Sequence, residues 1–103
     1  MNINVQELHD RLAAGEKLVI VDVREPWEYE EFNLGGTLVP LGDLMNRVYE
    51  LEEHKNDEIV VHCRSGNRSG MAQSLMQAHG FSNVRNLTGG VIAWMEAYGP
   101  TKP

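Results

Sequence analysis

Apolar runs alternate with segments of helical period along the chain, and this pattern lays out the elements. Asn4 followed by Glu7 has the spacing of a helix N-cap with a capping-box partner. Leu8 and Leu12 then share one face of a short helix that Gly15 can stop. Leu18 to Val23, LVIVDV, is almost wholly apolar and rich in branched residues, which suits a strand covered on both faces. EPWEYEEF follows, with Pro26 at a helix-starting position and acidic residues that favour the N-terminal end of the helix dipole. Thr37 to Val39 reads as a brief strand ended by Pro40. Leu44, Val48 and Leu51 recur at helical spacing and predict one helix through LGDLMNRVYELEEH. Glu58 to His62, EIVVH, predicts a second buried strand. Ser69 to His79 predicts a helix with Met71, Ala72, Leu75, Met76 and Ala78 turned inward and Gly80 as its stop. Val84 to Leu87 is a short strand, and Val91 to Tyr98 a final helix behind the flexible pair Gly89 and Gly90.

Strands alternating with helices give an α/β domain with a mainly parallel sheet. In such sheets ligands sit beyond the carboxyl ends of the strands. No repeat, low-complexity tract or linker divides the chain, so residues 1–103 are expected to form one domain. Its core runs from about residue 3 to residue 98. GPTKP, residues 99–103, reads as a loose tail.

Composition narrows the classes. A chain of 103 residues, 42% hydrophobic and 23% charged, has the balance of an ordinary globular domain. No stretch approaches the ~20 apolar residues of a membrane span, and MNINVQELHD lacks the pattern of a secretory leader. A whole gene product of this kind is expected in the cytoplasm. The net charge of −6 argues against general affinity for nucleic acid or anionic membrane. Nothing calls for more than a monomer. A single cysteine can form neither an internal disulfide nor a multi-cysteine metal site.

That cysteine carries the chemistry. In IVVHCRSGNRSGMAQSLM a buried strand runs into Cys63, then a short polar loop, then a helix. Cys63 therefore stands at the carboxyl end of a strand and just ahead of a helix N-terminus, whose unpaired N–H groups attract anions. A thiolate is an anion, and the same field lowers a thiol pKa from roughly 8.5. Gly66 lets the loop fold back, so that successive N–H groups converge into a nest. Arg64 and Arg68 add positive charge, and Ser65, Asn67 and Ser69 add short polar groups. The plain alternative is a buried cysteine before a solvated turn, the common fate of a free cysteine. Two arginines, two serines and a glycine within six residues of the only cysteine favour a reactive site. No histidine need act as base once the thiol is ionised.

Other conspicuous residues read as structural. His62 adjoins Cys63, but neighbouring strand residues point to opposite faces, so its ring should face away from the thiol. His9, His54 and His79 are scattered, lack metal-ligand spacing and are expected at the surface; no metal site is expected. The acidic run EPWEYEE reads as a solvated helix face, and Trp27 and Trp94 as core anchors. Asp22 and Arg24, after a strand end, read as an ion pair bracing nearby loops.

CRSGNRS resembles the active-site loop of rhodanese-like domains, DVREPWEYE the stretch after their second strand, and LTGGVIAW their closing motif. The resemblance spans Leu18 to Tyr98, in the family's order. It implies a three-layer sandwich with a five-stranded parallel sheet flanked by helices, and a two-step reaction without a cofactor. Cys63 would take the outer sulfur of a donor such as thiosulfate as a persulfide, then pass it to cyanide or a cellular thiol. Arg64, Ser65, Gly66, Asn67, Arg68 and Ser69 would cradle the persulfide and the donor's oxyanion. A sulfur-relay protein is a further possible partner, and a carrier module without efficient small-molecule turnover is the second reading. Related phosphatases and arsenate reductases place five residues between cysteine and arginine; here only RSGN separates Cys63 from Arg68, which suits sulfur better than phosphate. A catalytically dead domain would require the cysteine to be lost or buried. Asn33-Leu34 and Gly36-Thr37 depart from the family's His-Ile and Gly-Ala, which implies altered packing around the third strand.

Overall fold

The computed structural model describes residues 1–103. Its strands are β1 (Asn2–Ile3), β2 (Val19–Asp22), β3 (Thr37–Leu38), β4 (Glu58–His62) and β5 (Asn83–Leu87). They form one sheet in the order β1-β5-β4-β2-β3, and every pairing is parallel. The helices are α1 (Val5–Ala13), α2 (Pro26–Glu31), α3 (Leu44–Arg47), α4 (Asn67–Ala78) and α5 (Gly90–Tyr98).

The period-2 alternation of the central strands builds two cores. Val21, Ile59 and Val61 pack with Leu44, Leu51, Ala72 and Met76 on one side. Ile20 and Val60 pack with Val5, Leu8 and Trp94 on the other. The sheet thus lies between α3 and α4 on one face and α1 and α5 on the other, the three-layer arrangement the resemblance implies. Cys63 continues the first set and His62 the second, so strand geometry alone turns the two side chains to opposite faces.

Several expectations need correction. The pattern yields four strands; the fifth, β1, is two residues long and too short to show a period. It is held because the Asn86 and Thr88 N–H groups donate to the carbonyls of Met1 and Ile3. The single helix expected through residues 41–54 is three pieces: 3-10 turns at Leu41–Asp43 and Val48–His54 flank the four residues of α3. Leu44 and Leu51 are still buried, because a three-residue turn also stacks Val48 over Leu51. On α4, Met71 and Ala78 face solvent, and only Ala72 and Met76 of the expected inward set are fully buried. Trp94 is a core anchor, whereas Trp27 is 62% exposed. His9 is half-buried and stacks on Tyr98 with ring centres 4.0 Å apart. The tail has no regular structure, yet the Trp94 indole N–H donates to the Thr101 carbonyl at 2.9 Å.

Asn4 caps α1 as expected, accepting from the Glu7 N–H at 2.8 Å. The Glu7 side chain does not complete a capping box; it pairs instead with Arg85 at 2.7 Å. Asn33, at the departure from the family pattern, accepts from the Gly35 N–H and donates to the Tyr29 carbonyl, while Leu34 fills the second core. Glu58 is gripped by Arg11 at 2.6 Å and Arg85 at 3.0 Å. The Arg11 hydrogen bond is the main cause that brings its pKa down to about 2. The ionised carboxylate is favoured only in the folded state, so this stabilisation is complete above about pH 4.3 and lost as pH falls towards about 2. Glu58→Gln is expected to cost about 1–2 kcal/mol at pH 7 and much less at pH 3, as read by denaturant titration at both pH values.

Candidate active site

The end of β4 delivers Cys63 to the middle of the sheet's carboxyl edge, and α4 begins at Asn67. Arg64 to Gly66 therefore make up the whole loop, and Asn67, Arg68 and Ser69 form the first turn of the helix. Gly66 is the N-cap residue with φ +112°, a conformation that disfavours any side chain. This bend aims the Gly66 N–H at the sulfur, 3.1 Å from Sγ.

The loop's carbonyls are turned the other way. Cys63 O accepts from the Val91 N–H and Arg64 O from the Ile92 N–H, each at 3.0 Å. These donors belong to the first turn of α5, which has no partners of its own for them. Contact this close requires Gly90 to lack a side chain, because a Cβ there would stand 2.5 Å from Cys63 O and 2.6 Å from Arg64 O. The glycine pair expected to be merely flexible is thus the seat of the loop.

A third fastening was not visible in the sequence. Asn86, on β5, donates from Nδ2 to the Gly66 carbonyl at 3.2 Å and accepts from the Ser69 hydroxyl at 2.6 Å. Ser69 Oγ also lies 3.4 Å from Cys63 Sγ. One hydroxyl proton serves Asn86 or the sulfur, so the fixed backbone N–H groups are the constant donors to sulfur. Asparagine in a short strand gives no signal of such a role; only the parallel pairing of β4 and β5 brings it under the loop.

Contrary to the expectation that a reactive cysteine would not be buried, Cys63 is 1% exposed and packs at the edge of the first core. What separates it from an inert core cysteine is the Gly66 N–H and the Ser69 hydroxyl at its sulfur. Burial alone pushes the thiol pKa up. The Ser69 hydroxyl and the backbone N–H groups of Ser69, Gly66 and Ser65 outweigh it, and the thiol titrates below its ordinary value. Arg64, Ser65 and Asn67 are exposed around it, and Ser69 is fully buried.

Arg68 does not point freely at the sulfur. Its guanidinium holds Glu28 in a two-pronged ion pair with bonds of 2.7 and 2.9 Å. Glu28 is 7% exposed, so the acidic run is not a wholly solvated face. Arg68 first, then the Glu25 N–H and Arg24, bring the Glu28 pKa down to about 2 against the penalty of burial. The pairing joins α2 to the start of α4 across 40 residues of sequence. Asp22 and Arg24 form a buried ion pair at 2.8 Å, and the same Arg24 Nη2 reaches the Phe32 carbonyl at 2.7 Å, tying the end of β2 to the end of α2. His62 is buried behind them, with Nε2 3.7 Å from Asp22 Oδ2 and no hydrogen-bond partner. Burial lowers its pKa, so it is neutral at pH 7.

Beside the loop lies a groove of about 920 Å³. Arg64 and Arg68 border it, Trp27 and Phe32 line it from the α2 side, and Ile92 and Met95 from α5. The arrangement provides a buried, ionisable sulfur held by inward N–H groups, next to an opening wide enough for a small molecule or an extended segment.

Known proteins share this arrangement of elements. The rhodanese-like domain family model matches residues 4–97. A putative sulfur carrier protein of Bacillus subtilis, YrkF, is 40% identical over 93 residues, 89% of this chain and 49% of that protein. A sulfurtransferase of Allochromatium vinosum is 36% identical over 93 residues, covering 89% of this chain and 85% of that one. The solution structure of a rhodanese-like domain from Anabaena superposes with a TM-score of 0.85 at 30% identity, covering 96% of this chain and 76% of that one. The chain thus spans about half the length of the Bacillus relative and most of the Allochromatium one. No helix is long and apolar enough to cross a membrane.

The thiol is expected to react with iodoacetamide along a pH profile whose midpoint lies below that of free cysteine, roughly 8.5. Gly90→Ala must displace the loop, and it is expected to move that midpoint up by about 1 unit and slow alkylation at pH 7 about tenfold. A midpoint at the free value in the wild-type chain would contradict the geometry.

Proposed function

The chain belongs to the rhodanese-like domain family, and from that premise we propose that it moves sulfane sulfur from a donor such as thiosulfate to a thiophilic acceptor through a persulfide on Cys63. The observation that carries this is the hydrogen bond from the Gly66 N–H to the Cys63 sulfur at 3.1 Å, in a loop whose Cys63 and Arg64 carbonyls are held away by α5.

The Cys63 thiolate attacks the donor's outer sulfur. A Cys63 Sγ–S bond forms as the donor's S–S bond breaks, and the electron pair leaves on the inner sulfur, as sulfite when the donor is thiosulfate. The persulfide's outer sulfur then carries the negative charge, and the N–H groups of Ser65, Gly66 and Ser69, already directed at Cys63, would stabilise it. Cyanide or a cellular thiolate takes that sulfur in the second step and returns Cys63 as thiolate. Neither step requires a cofactor or a general base. Arg64, exposed and free of ion pairs, is the cation available to a donor's anionic group. Arg68 acts mainly by fixing the first turn of α4 through Glu28.

The separation of loop and helix also speaks against phosphate chemistry. With three residues between Cys63 and the helix start, the short loop suits a single sulfur atom better than a tetrahedral phosphate. The name of the Bacillus relative favours a second reading, in which the domain receives sulfur from a protein partner within a relay. Rapid loading from a persulfidated protein, combined with poor turnover of small donors, would select it.

Intact-mass measurement is the test. Brief exposure to thiosulfate or to an organic persulfide should add one sulfur atom, cyanide should remove it as thiocyanate, and Cys63→Ser should abolish both. Failure of every donor to load the intact thiol would refute the proposal. Arg64→Ala should raise the KM for an anionic donor about five- to tenfold with little change in thermal stability, because its side chain makes no internal contact with a carboxylate.

A further inference from the structure

The charges around the groove are unevenly spent. Three arginines and three glutamates line it: Arg24, Arg64 and Arg68, with Glu25, Glu28 and Glu31. Arg24 is already matched by the buried Asp22, and Arg68 by Glu28. That leaves Arg64 as the single cation without an ion pair, on a groove that also holds the exposed carboxylates of Glu25, which caps α2 but has no ion-pair partner, and of Glu31. The uncommitted charge of the groove is therefore negative before the Cys63 thiolate is counted, and the whole chain adds a background of −6. The remaining lining is apolar: Trp27 is 62% exposed, Ile92 37% and Met95 40%.

Thiosulfate is a compact dianion, and its departure as sulfite keeps both charges in the site. A groove with one free cation, two carboxylates outside any ion pair and an ionised nucleophile repels it. An organic persulfide carries at most one negative charge, none in the reactive R–S–SH form, and its substituent can cover apolar surface.

We infer that the donor preferred by this site is an organic persulfide of low charge with an apolar substituent lying along Trp27, Ile92 and Met95, and that Glu28 sets the preference by occupying Arg68. This rests on the proposed persulfide chemistry of Cys63 and deepens it. The transfer balances without an outside oxidant or reductant. Cys63 thiolate bonds to the outer sulfur of R–S–SH, the donor's S–S bond breaks, R–S⁻ departs with the electron pair, and the transferred sulfur keeps its proton. Glu28 touches neither donor nor sulfur; it is a specificity-determining residue that acts through Arg68.

The test compares thiosulfate with freshly generated butyl persulfide, using the full chain and cyanide as acceptor. The wild-type chain should show the higher kcat/KM for butyl persulfide. Its kcat/KM for thiosulfate should rise severalfold between about 0.01 M and 0.15 M salt, because screening relieves repulsion, whereas the butyl persulfide value stays flat. Glu28→Gln frees Arg68 and should shift the thiosulfate-to-persulfide ratio of kcat/KM about tenfold towards thiosulfate, chiefly through KM. If that variant folds poorly, Glu31→Lys, at an exposed position, adds a cation to the same groove and should shift the ratio in the same direction. Thiosulfate turnover that equals or exceeds that of the persulfide and falls with salt would overturn the inference. A donor ratio unmoved by whichever of the two variants folds would do the same. Either result leaves the sulfur-transfer reading intact, because Cys63 would still load; absence of loading from both donors would instead sink both.

Discussion

Two hydrogen bonds that never touch the sulfur decide what the sulfur can do. The Val91 and Ile92 N–H groups take the carbonyls of Cys63 and Arg64. Because the C=O and N–H of a trans peptide point opposite ways, this turns the Arg64 and Ser65 N–H groups inward, while the positive φ of Gly66 aims its own N–H at the sulfur. A loop of three residues has too little slack to satisfy both directions otherwise. The first turn of α5 thereby fixes part of the N–H ring, and the bend at Gly66 supplies the rest. Gly90 is the geometric condition for this, because a Cβ at that position would occupy the space of the Cys63 carbonyl oxygen.

Around that fastening the molecule balances burial against donation. Burying Cys63 at the edge of a close-packed core disfavours its anion, and the N–H groups at the start of α4, with the Ser69 hydroxyl, more than compensate. Asn86 spans the Gly66 carbonyl and the Ser69 hydroxyl, so the strand beside β4 stiffens the same turn from below. On the outside, Glu28 and Arg68 lock α2 against α4, and Asp22 and Arg24 lock the end of β2 against the end of α2. Three elements distant in sequence are held around one atom. The ion pairs that hold them also remove positive charge from the groove.

The elements that could be read from the chain are those whose signal is local. EIVVH holds three branched apolar residues in a row and runs into Cys63, and β4 has its bounds, Glu58 to His62. CRSGNRS shows its bend because Gly66 stands alone among polar residues, and the opposite facing of His62 and Cys63 follows from the pleat. The helix starts two residues earlier than the serine suggested, since Asn67 and Arg68 carry no apolar period to mark its first turn. What stayed hidden depends on partners far away in the chain. β1 exists only through β5, the burial of Glu28 only through Arg68, and the role of Asn86 only through the register of β5 on β4. The segment at 41–54 misled for a different reason: spacings of four and three residues fit an α-helix and a 3-10 turn alike. Trp27 misled because aromatic size favours burial on average, whereas its place on α2 puts it on the wall of the groove.

The central claim is that inward N–H groups hold a negatively charged sulfur. A crystal structure of the persulfidated chain tests it most directly. The account places the added sulfur inside the bend, within about 3.5 Å of the Gly66 N–H and at least one neighbouring N–H group, with the Cys63 and Arg64 carbonyls still bound to α5. An added sulfur pointing out into the groove, with those N–H groups left to solvent, would contradict it.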